Sequence, residues 1–217
     1  MGTITIGDVK VAALKLMFTN YGDKITSVDG DGYDNISNLE YDAEYGKYLV
    51  NMNECINRAV ARLSAVGVLP VKSKQINLQK GNKAERIDLK ENITDFYRLI
   101  KIIKEEGDEY IPDYPYYMEG DGTIRVSAQN KDCALIILYE PKERLITDGT
   151  PNTAVFENVP DELALLIPYF IKAELFEEEQ PELATQARNI FESSAADRIG
   201  NAYAAQKVVS DVYGGCQ

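Results

Sequence analysis

The sequence contains no histidine, and this absence excludes whole classes of catalytic site. Without histidine there is no Ser-His-Asp or Cys-His nucleophilic pair, no histidine general base and no histidine-ligated zinc. The three cysteines, Cys55, Cys133 and Cys216, are far apart in the sequence and form no C-x-x-C pair. An odd number of cysteines without a disulfide framework indicates a reducing compartment.

Positive charge and long apolar runs are also scarce. Lysine and arginine number 23 against 35 acidic residues, which gives a formal net charge of −12. A grip on phosphates needs a basic surface, so direct binding of nucleic acid is not expected. The longest apolar run, residues 163–171, is too short to span a bilayer. Phosphate-loop, dinucleotide-binding and nucleophile-elbow motifs are absent as well, so we predict no catalytic residue and no cofactor.

One loop, "DGDGYDNISNLE", comes close to a calcium site. Four of its residues fall at ligand positions of the EF-hand loop: Asp29, Asp31, Ser37 and Glu40. Tyr33, however, replaces a ligand, and Asp34 stands where the sharp turn needs glycine. We therefore predict a polar surface loop and no metal site.

Apolar residues at steps of three and four predict two helices in the first third of the chain. In "IGDVKVAALKLMF" they are Ile6, Val9, Ala13, Leu16 and Met17. Over residues 40–66 they are Tyr41, Tyr45, Tyr48, Met52, Ile56, Ala59, Leu63 and Val66. Gly67 and Pro70 follow in the order that usually ends a helix.

Residues 71–146 have a different texture. Short segments rich in Ile, Leu, Val and Tyr alternate with turn sequences such as "KGNK" and "EGDG". This pattern predicts an antiparallel module of five or six strands.

Residues 159–199 predict a helical hairpin. Residues 161–176 are apolar on nearly every side, which indicates a buried helix that Pro168 kinks or restarts. After "EEEQPE" a second helix carries a stripe of Leu183, Ala187, Ile190, Phe191 and Ile199. We expect Glu174 to pair with Arg188 across the hairpin, because a lone carboxylate on an apolar side would be costly.

Together these elements predict an α+β fold: a helical bundle, made of a long central helix and a C-terminal helical hairpin, with an inserted antiparallel β module. The predicted domains are a bundle of residues 1–70 and 147–217 and a β domain of residues 71–146.

Tyrosine is concentrated in "EYIPDYPYYMEGDG", residues 109–122. We take Tyr110, Tyr114, Tyr116 and Tyr117 as candidate interface residues, since aromatic side chains dominate contact surfaces for proteins and sugars. A pair of strands with ordinary strand tyrosines is the alternative interpretation, because aromatic residues are also favoured in strands.

Three stretches resemble the head–tail adaptor (connector) proteins of short-tailed bacteriophages. They are "YLVNMNECINRAVARL", "NITDFYRLIKI" and "DELALLIPYFIKAELFEEEQPELATQARNIFES". The resemblance implies a non-enzymatic structural virion protein, assembled in the host bacterial cytoplasm, that forms a ring of about twelve copies. It also implies a portal protein above, tail or nozzle proteins below, and a channel that DNA crosses without specific binding. No membrane partner is implied.

Two other functions compete with this expectation. The first is a non-enzymatic carbohydrate- or protein-binding module that uses residues 110–117. The second is a carboxylate-based hydrolase built on Glu177, Glu178, Glu179 and Glu182. A charge run on a solvated corner is the simpler interpretation of these four acids.

Overall fold

The computed structural model describes residues 3–18, 45–81, 83–107 and 109–213, with residues 199–213 described as backbone only. The helices of these ranges are α1 (Ile6–Met17), α2 (Gly46–Ala65), α3 (Leu89–Asn92), α4 (Asp161–Ala164), α5 (Ile167–Leu175) and α6 (Pro181–Tyr213). The strands are β1 (Lys72–Leu78), β2 (Glu85–Asp88), β3 (Phe96–Glu106), β4 (Glu109–Ile111), β5 (Tyr117–Gly120), β6 (Thr123–Val126) and β7 (Cys133–Pro141). No helix within the described ranges is long and apolar enough to cross a bilayer.

The chain divides into two compact units. Unit 1 combines residues 1–69 with residues 144–217, and unit 2 is residues 70–143. Unit 2 is therefore an insertion in the sequence of unit 1.

Helix α5 is the centre of unit 1, where it contacts α1, α2 and α6. Its buried residues are Ile167, Pro168, Phe170, Ile171 and Ala173. Pro168 lies in the first turn of α5, after the separate short helix α4, so the chain restarts its helix at this point. Proline is tolerated there because the first-turn N–H groups have no helical acceptor in any case.

Both ends of α1 are held by side chains. At its start Thr5 and Asp8 form a capping box, in which Asp8 N–H donates to Thr5 Oγ1 at 3.1 Å and Thr5 N–H donates to Asp8 Oδ2 at 2.9 Å. Near its end Lys172 Nζ donates to the carbonyl of Leu16 at 2.7 Å. A cation at a helix C-terminus satisfies a carbonyl without a helical partner and interacts favourably with the helix dipole.

Aromatic rings fill the interior of unit 1. Phe18 lies edge-on to Tyr45, Tyr48 and Phe176, with ring centroids 5.2, 5.2 and 6.2 Å away. A second pair, Phe170 of α5 and Phe191 of α6, is 5.0 Å apart. Edge-to-face geometry is the arrangement that aromatic pairs prefer.

The buried stripe of α6 differs from the predicted one. Leu183 and Ile190 are 38% and 45% exposed. Ala187 and Phe191 of the predicted stripe are buried, and the other two core-facing side chains are Ala184 and Ala195. Alanine gives a weak hydrophobic signal, yet its small side chain lets α6 lie against α5. The side chain of Ile199, like Tyr41 of the predicted α2 stripe, lies outside the described residues.

Unit 2 contains two antiparallel sheets. One has four strands in the order β1-β7-β3-β4, and the other has three in the order β2-β6-β5. Their apolar side chains form a core of Leu78, Ile87, Leu89, Ile93, Phe96, Ile102, Ile124, Val126, Cys133, Leu135, Ile137 and Tyr139. Strand β2 ends at Asp88, because the Asp88 carboxylate accepts from the N–H groups of Lys90 and Glu91 and caps α3.

The predicted fold class, a helical bundle with one inserted β module, is wrong. Helix accounts for about 40% of the structure and strand for 26%, and the strands form two antiparallel sheets. The protein is therefore α+β and not predominantly a helical bundle. Alternating hydrophobicity locates single strands but does not tell which strands pair. Here β7 pairs with β1 and β3, whereas β6 pairs with β2 and β5. This long-range pairing divides the strands of the predicted module between two sheets.

Candidate interaction surface

A single segment of unit 2 links the edges of its two sheets. Residues 109–120, called the edge segment here, begin in β4 and end in β5. In the described structure β4 is the outer strand of the four-stranded sheet, and β5 is the outer strand of the three-stranded sheet. The sequence therefore places the tyrosine-rich stretch where two sheets end.

Large apolar side chains of the edge segment are exposed. Their exposed fractions run from 40% for Ile111 to 70% for Tyr117, and the set is Tyr110, Ile111, Tyr116, Tyr117 and Met118. Single exposed apolar residues are ordinary, but several in one short segment indicate a contact surface. The sequence analysis identified the tyrosines but missed Ile111 and Met118. These two could have been found because they lie beside the tyrosines in the same short strands.

Tyr114, the fourth candidate tyrosine, has a different position. Its ring is partly buried against the core of unit 2. Its hydroxyl accepts a hydrogen bond from Gln129 Nε2 at 3.0 Å, and its N–H donates to the carbonyl of Ile102 at 2.8 Å. Tyr114 thus anchors the edge segment to β3 while its neighbours face outward.

A turn before Tyr114 shapes the segment. Pro112 has its φ set by the ring, and Asp113 follows with φ of 57°. Proline followed by a residue with positive φ is the arrangement of a type II turn. Aspartate tolerates this conformation better than most residues, and an ion pair with Lys101 at 3.0 Å holds its side chain.

Beneath the anchor lies a buried cation, Lys104, which is only 8% exposed. Its Nζ is 2.6 Å from Glu106 Oε2 and 5.5 Å from the ring centroid of Tyr114. The hydrogen bond with Glu106 raises the pKa of Lys104 despite its burial, and the same bond lowers the pKa of Glu106. Both groups are therefore charged at neutral pH, and the cation lies within reach of the aromatic face. Sequence reasoning missed Lys104, although it shares the strand face of Ile102.

The other end of the edge segment is fixed by charge. Glu119 lies between two arginines, 3.2 Å from Arg86 of β2 and 2.6 Å from Arg125 of β6. Lys90 and Asp121 form a further ion pair at the turn that follows. The edge segment is thus held at both ends and in the middle, so its exposed rings lie on a fixed support.

The predicted pair in unit 1 is brought together. Arg188 Nη2 of α6 donates to Glu174 Oε1 of α5 at 2.9 Å. Arg58 of α2 donates to the other oxygen of Glu174 at 3.2 Å. The Glu174 side chain is 17% exposed and accepts from arginines on two helices. This arrangement ties three helices together and has the character of a structural contact.

The acidic corner between α5 and α6 is likewise engaged in structure. Glu179 accepts from Tyr48 hydroxyl at 2.7 Å and pairs with Lys47 at 2.9 Å. Glu177 lies 3.6 Å from Arg188. The corner is thus tied to α2 and α6 through hydrogen bonds and ion pairs.

Within the described residues no three Cys, Asp or Glu side chains are grouped so that they could hold a metal ion. The calcium-like loop, residues 29–40, lies outside those residues. A groove of about 420 Å³ in unit 2 is lined by Gln75, Asn77, Leu78, Gln79, Glu105, Gly107, Asp132, Cys133 and Ala134. These residues do not include the exposed tyrosines, so the aromatic side chains form a surface and do not line this groove.

Comparison with known proteins adds no relative: neither a protein-family model nor a curated protein matches this chain. Its function is therefore inferred from its own residues and from the resemblance of its sequence.

Proposed function

We propose that this protein is a non-enzymatic structural subunit of a bacteriophage virion, a head–tail adaptor that forms a ring between the portal and the tail. In this proposal about twelve copies surround the channel. The portal protein binds on one side and tail or nozzle proteins on the other.

The observation that carries the proposal is the edge segment. It presents Tyr110, Tyr116 and Tyr117 to solvent on a support fixed by Tyr114, Lys104 and the Glu119 ion pairs. Exposed aromatic anchors lose little entropy on binding when their backbone is already ordered. Tyrosine is among the residues that dominate binding energy at protein interfaces. A protein surface is therefore the partner that suits this segment best.

The charge of the chain supports the DNA-channel role. With a net charge of −12, the protein has no excess of cations to hold phosphates. A channel subunit has to let DNA pass, and an acidic chain does not bind it tightly.

A carbohydrate-binding module is the second candidate, favoured by one contact. The hydroxyl of Tyr110 donates to Glu105 Oε1 at 3.0 Å, which places a carboxylate beside an exposed aromatic ring. An aromatic ring with a carboxylate beside it suits a ligand, such as a sugar, that has one apolar face and polar groups at its edge. This candidate requires saturable glycan binding by the monomer.

The test is assembly with the portal protein of the genome that encodes this chain. We expect negative-stain images and native mass spectrometry of the co-expressed proteins to show one adaptor ring on each portal. The double variant Tyr110→Ser with Tyr117→Ser should keep the thermal unfolding curve of the wild type and lose ring attachment. Binding of the wild-type monomer to a glycan array should also be measured at increasing protein concentration.

A matched control is available on β3. Tyr97 and Ile100 are exposed to 54% and 43%, and their double replacement by serine removes exposed apolar side chains outside the edge segment. This control should still assemble. Equal loss in both variants would contradict a role for the edge segment. Glycan binding that disappears only in the Tyr110 and Tyr117 variant, with no ring in any sample, would support the second candidate instead.

A further inference from the structure

The two edges of the four-stranded sheet in unit 2 are both open. Strand β1 pairs with β7 alone, and β4 pairs with β3 alone, among the strands that the structure describes. Each edge therefore presents backbone N–H and C=O groups that another strand can pair with. Most of β1 and all of β4 are exposed.

The sequence gives these edges opposite charge. Residues 70–84, which contain β1, carry Lys72, Lys74, Lys80 and Lys83 and no acid. Residues 105–121, which contain β4 and the edge segment, carry no lysine or arginine. Their acids are Glu105, Glu106, Asp108, Glu109, Asp113, Glu119 and Asp121.

Several of these charges are already paired within the chain. Lys72 binds Asp95 at 2.7 Å, and Glu106, Asp113, Glu119 and Asp121 have the basic partners described above. Within strands β1 and β4 themselves, two exposed charges have no ion pair with another described residue: Lys74 on β1 and Glu109 on β4. They are one positive and one negative charge on opposite edges of the same sheet.

We propose that β1 of one copy of this chain binds β4 of the next copy, edge to edge, with Lys74 facing the acidic edge at Glu109. This rests on the proposed ring function and names the contact that builds the ring. Two β1 edges would place lysine against lysine, and two β4 edges would place acid against acid. Like charges on opposite strands destabilise pairing, so head-to-tail contact is favoured.

The geometry suits repetition. Two different patches on opposite edges of one sheet make a heterologous contact, which closes into a ring when the rotation between copies allows. Lysine on an edge strand commonly guards against aggregation. In this chain the lysine of β1 repels a second basic edge but does not repel an acidic one.

Charge reversal tests the contact. We expect Lys74→Glu alone and Glu109→Lys alone each to weaken self-association by about tenfold or more at low salt, because each variant places like charges opposite each other at positions 74 and 109 of the contact. Mixing the two variants should restore assembly, since each then offers the edge that the other lacks. The double variant, with both charges exchanged, should also assemble alone.

The measurement is sedimentation at two salt concentrations, with and without the portal protein, beside a circular dichroism melt that monitors folding. Lys15→Glu and Glu178→Lys make the same charge changes on exposed positions of unit 1 and should assemble like the wild type. Rings that form equally well from every variant would overturn the edge contact and leave the adaptor function standing. A wild-type protein that forms no ring even with the portal would overturn both.

Discussion

Aromatic residues are placed in opposite ways in the two units. In unit 1, Tyr48, Phe176 and Phe191 lie inside, edge to face with other rings, and the partly buried Phe18 packs against two of them. In unit 2, aliphatic side chains supply most of the core. Most of the tyrosines there are exposed: Tyr97, Tyr110, Tyr116 and Tyr117.

The difference teaches what each unit uses its rings for. Buried rings in unit 1 contribute area and packing to its own stability. Exposed rings in unit 2 contribute little to folding, since exposed surface substitutions rarely change stability by more than about 0.5 kcal/mol. Substitutions of aromatic residues should therefore have opposite consequences in the two units, with lost folding in one and lost assembly in the other.

The largest effect is expected in the unit 1 interior. Phe191→Ala removes a fully buried ring packed on Phe170, so it should cost about 3–5 kcal/mol of unfolding free energy. Ile190→Ala, at the adjacent exposed position, should cost less than about 1 kcal/mol. Urea denaturation of both variants checks this, and equal costs would show that the buried face of α6 is misassigned.

Tyr114 differs from the exposed tyrosines of unit 2 because its ring packs against the core, so its replacement tests the comparison further. Tyr114→Ala removes a partly buried ring and its hydrogen bond with Gln129, which should cost about 2 kcal/mol. Tyr117→Ala should change stability by less than about 0.5 kcal/mol. Thermal melts of the two variants check this. A larger loss of stability in Tyr117→Ala than in Tyr114→Ala would contradict the assignment of Tyr114 as the anchor and Tyr117 as a surface residue.

A smaller effect concerns acid stability in unit 2. The carboxylate of Asp95 is 2.7 Å from Lys72 Nζ on β1 and accepts from Tyr139 hydroxyl on β7 at 2.9 Å. Burial acts to raise the pKa of Asp95, but these two hydrogen bonds and the lysine charge outweigh it and leave the pKa below 3.8. Asp95 therefore adds stability that is present above pH 3.8 and lost as the pH falls through the lower folded-state pKa.

Asp95→Asn should lower stability at pH 6 by about 1 kcal/mol and have less effect at pH 3, because the wild type has begun to lose the same contribution below pH 3.8. Tyr139→Phe, which removes one donor, should give an intermediate loss. Urea midpoints at the two pH values check this. A loss that is equal at both would mean that the charge of Asp95 does not matter.

The smallest effect is expected at the ion pairs on the unit 1 surface. Glu174 accepts from both Arg58 and Arg188, so either arginine alone leaves it paired. Arg188→Met should therefore cost about 0.5 kcal/mol, and Glu174→Gln somewhat more. A double-mutant cycle measures the coupling, which should shrink in high salt. A coupling that is insensitive to salt would indicate packing instead of charge.

Local patterns of the sequence predicted much of the secondary structure. The apolar stripe of α2 predicts the buried face of Tyr48, Met52, Ile56, Ala59 and Leu63, because helical packing repeats every three or four residues. The restart at Pro168 follows from the missing N–H and the fixed φ of proline. Such features depend only on neighbours along the chain.

Features that depend on distant residues were not predictable in the same way. The division into two sheets depends on which strands pair, and alternation alone carries no such information. The predicted stripe of α6 correctly included Ala187 and Phe191. It wrongly included Leu183 and Ile190, because Ala184 and Ala195 gave a weaker hydrophobic signal. The role of Tyr114 as an anchor depends on its contacts with Gln129 and Lys104, which the sequence alone did not predict.

The insertion of unit 2 within unit 1 also sets an order of folding during synthesis. Helices α1 and α2 leave the ribosome first, yet the helix they pack on, α5, follows only after all of residues 70–143. Unit 2 is continuous in the chain and can complete its core while its upstream neighbours still wait for theirs. During that interval the apolar faces of α1 and α2 are uncovered, and a nascent chain halted before Pro160 should bind general chaperones more strongly than the finished one.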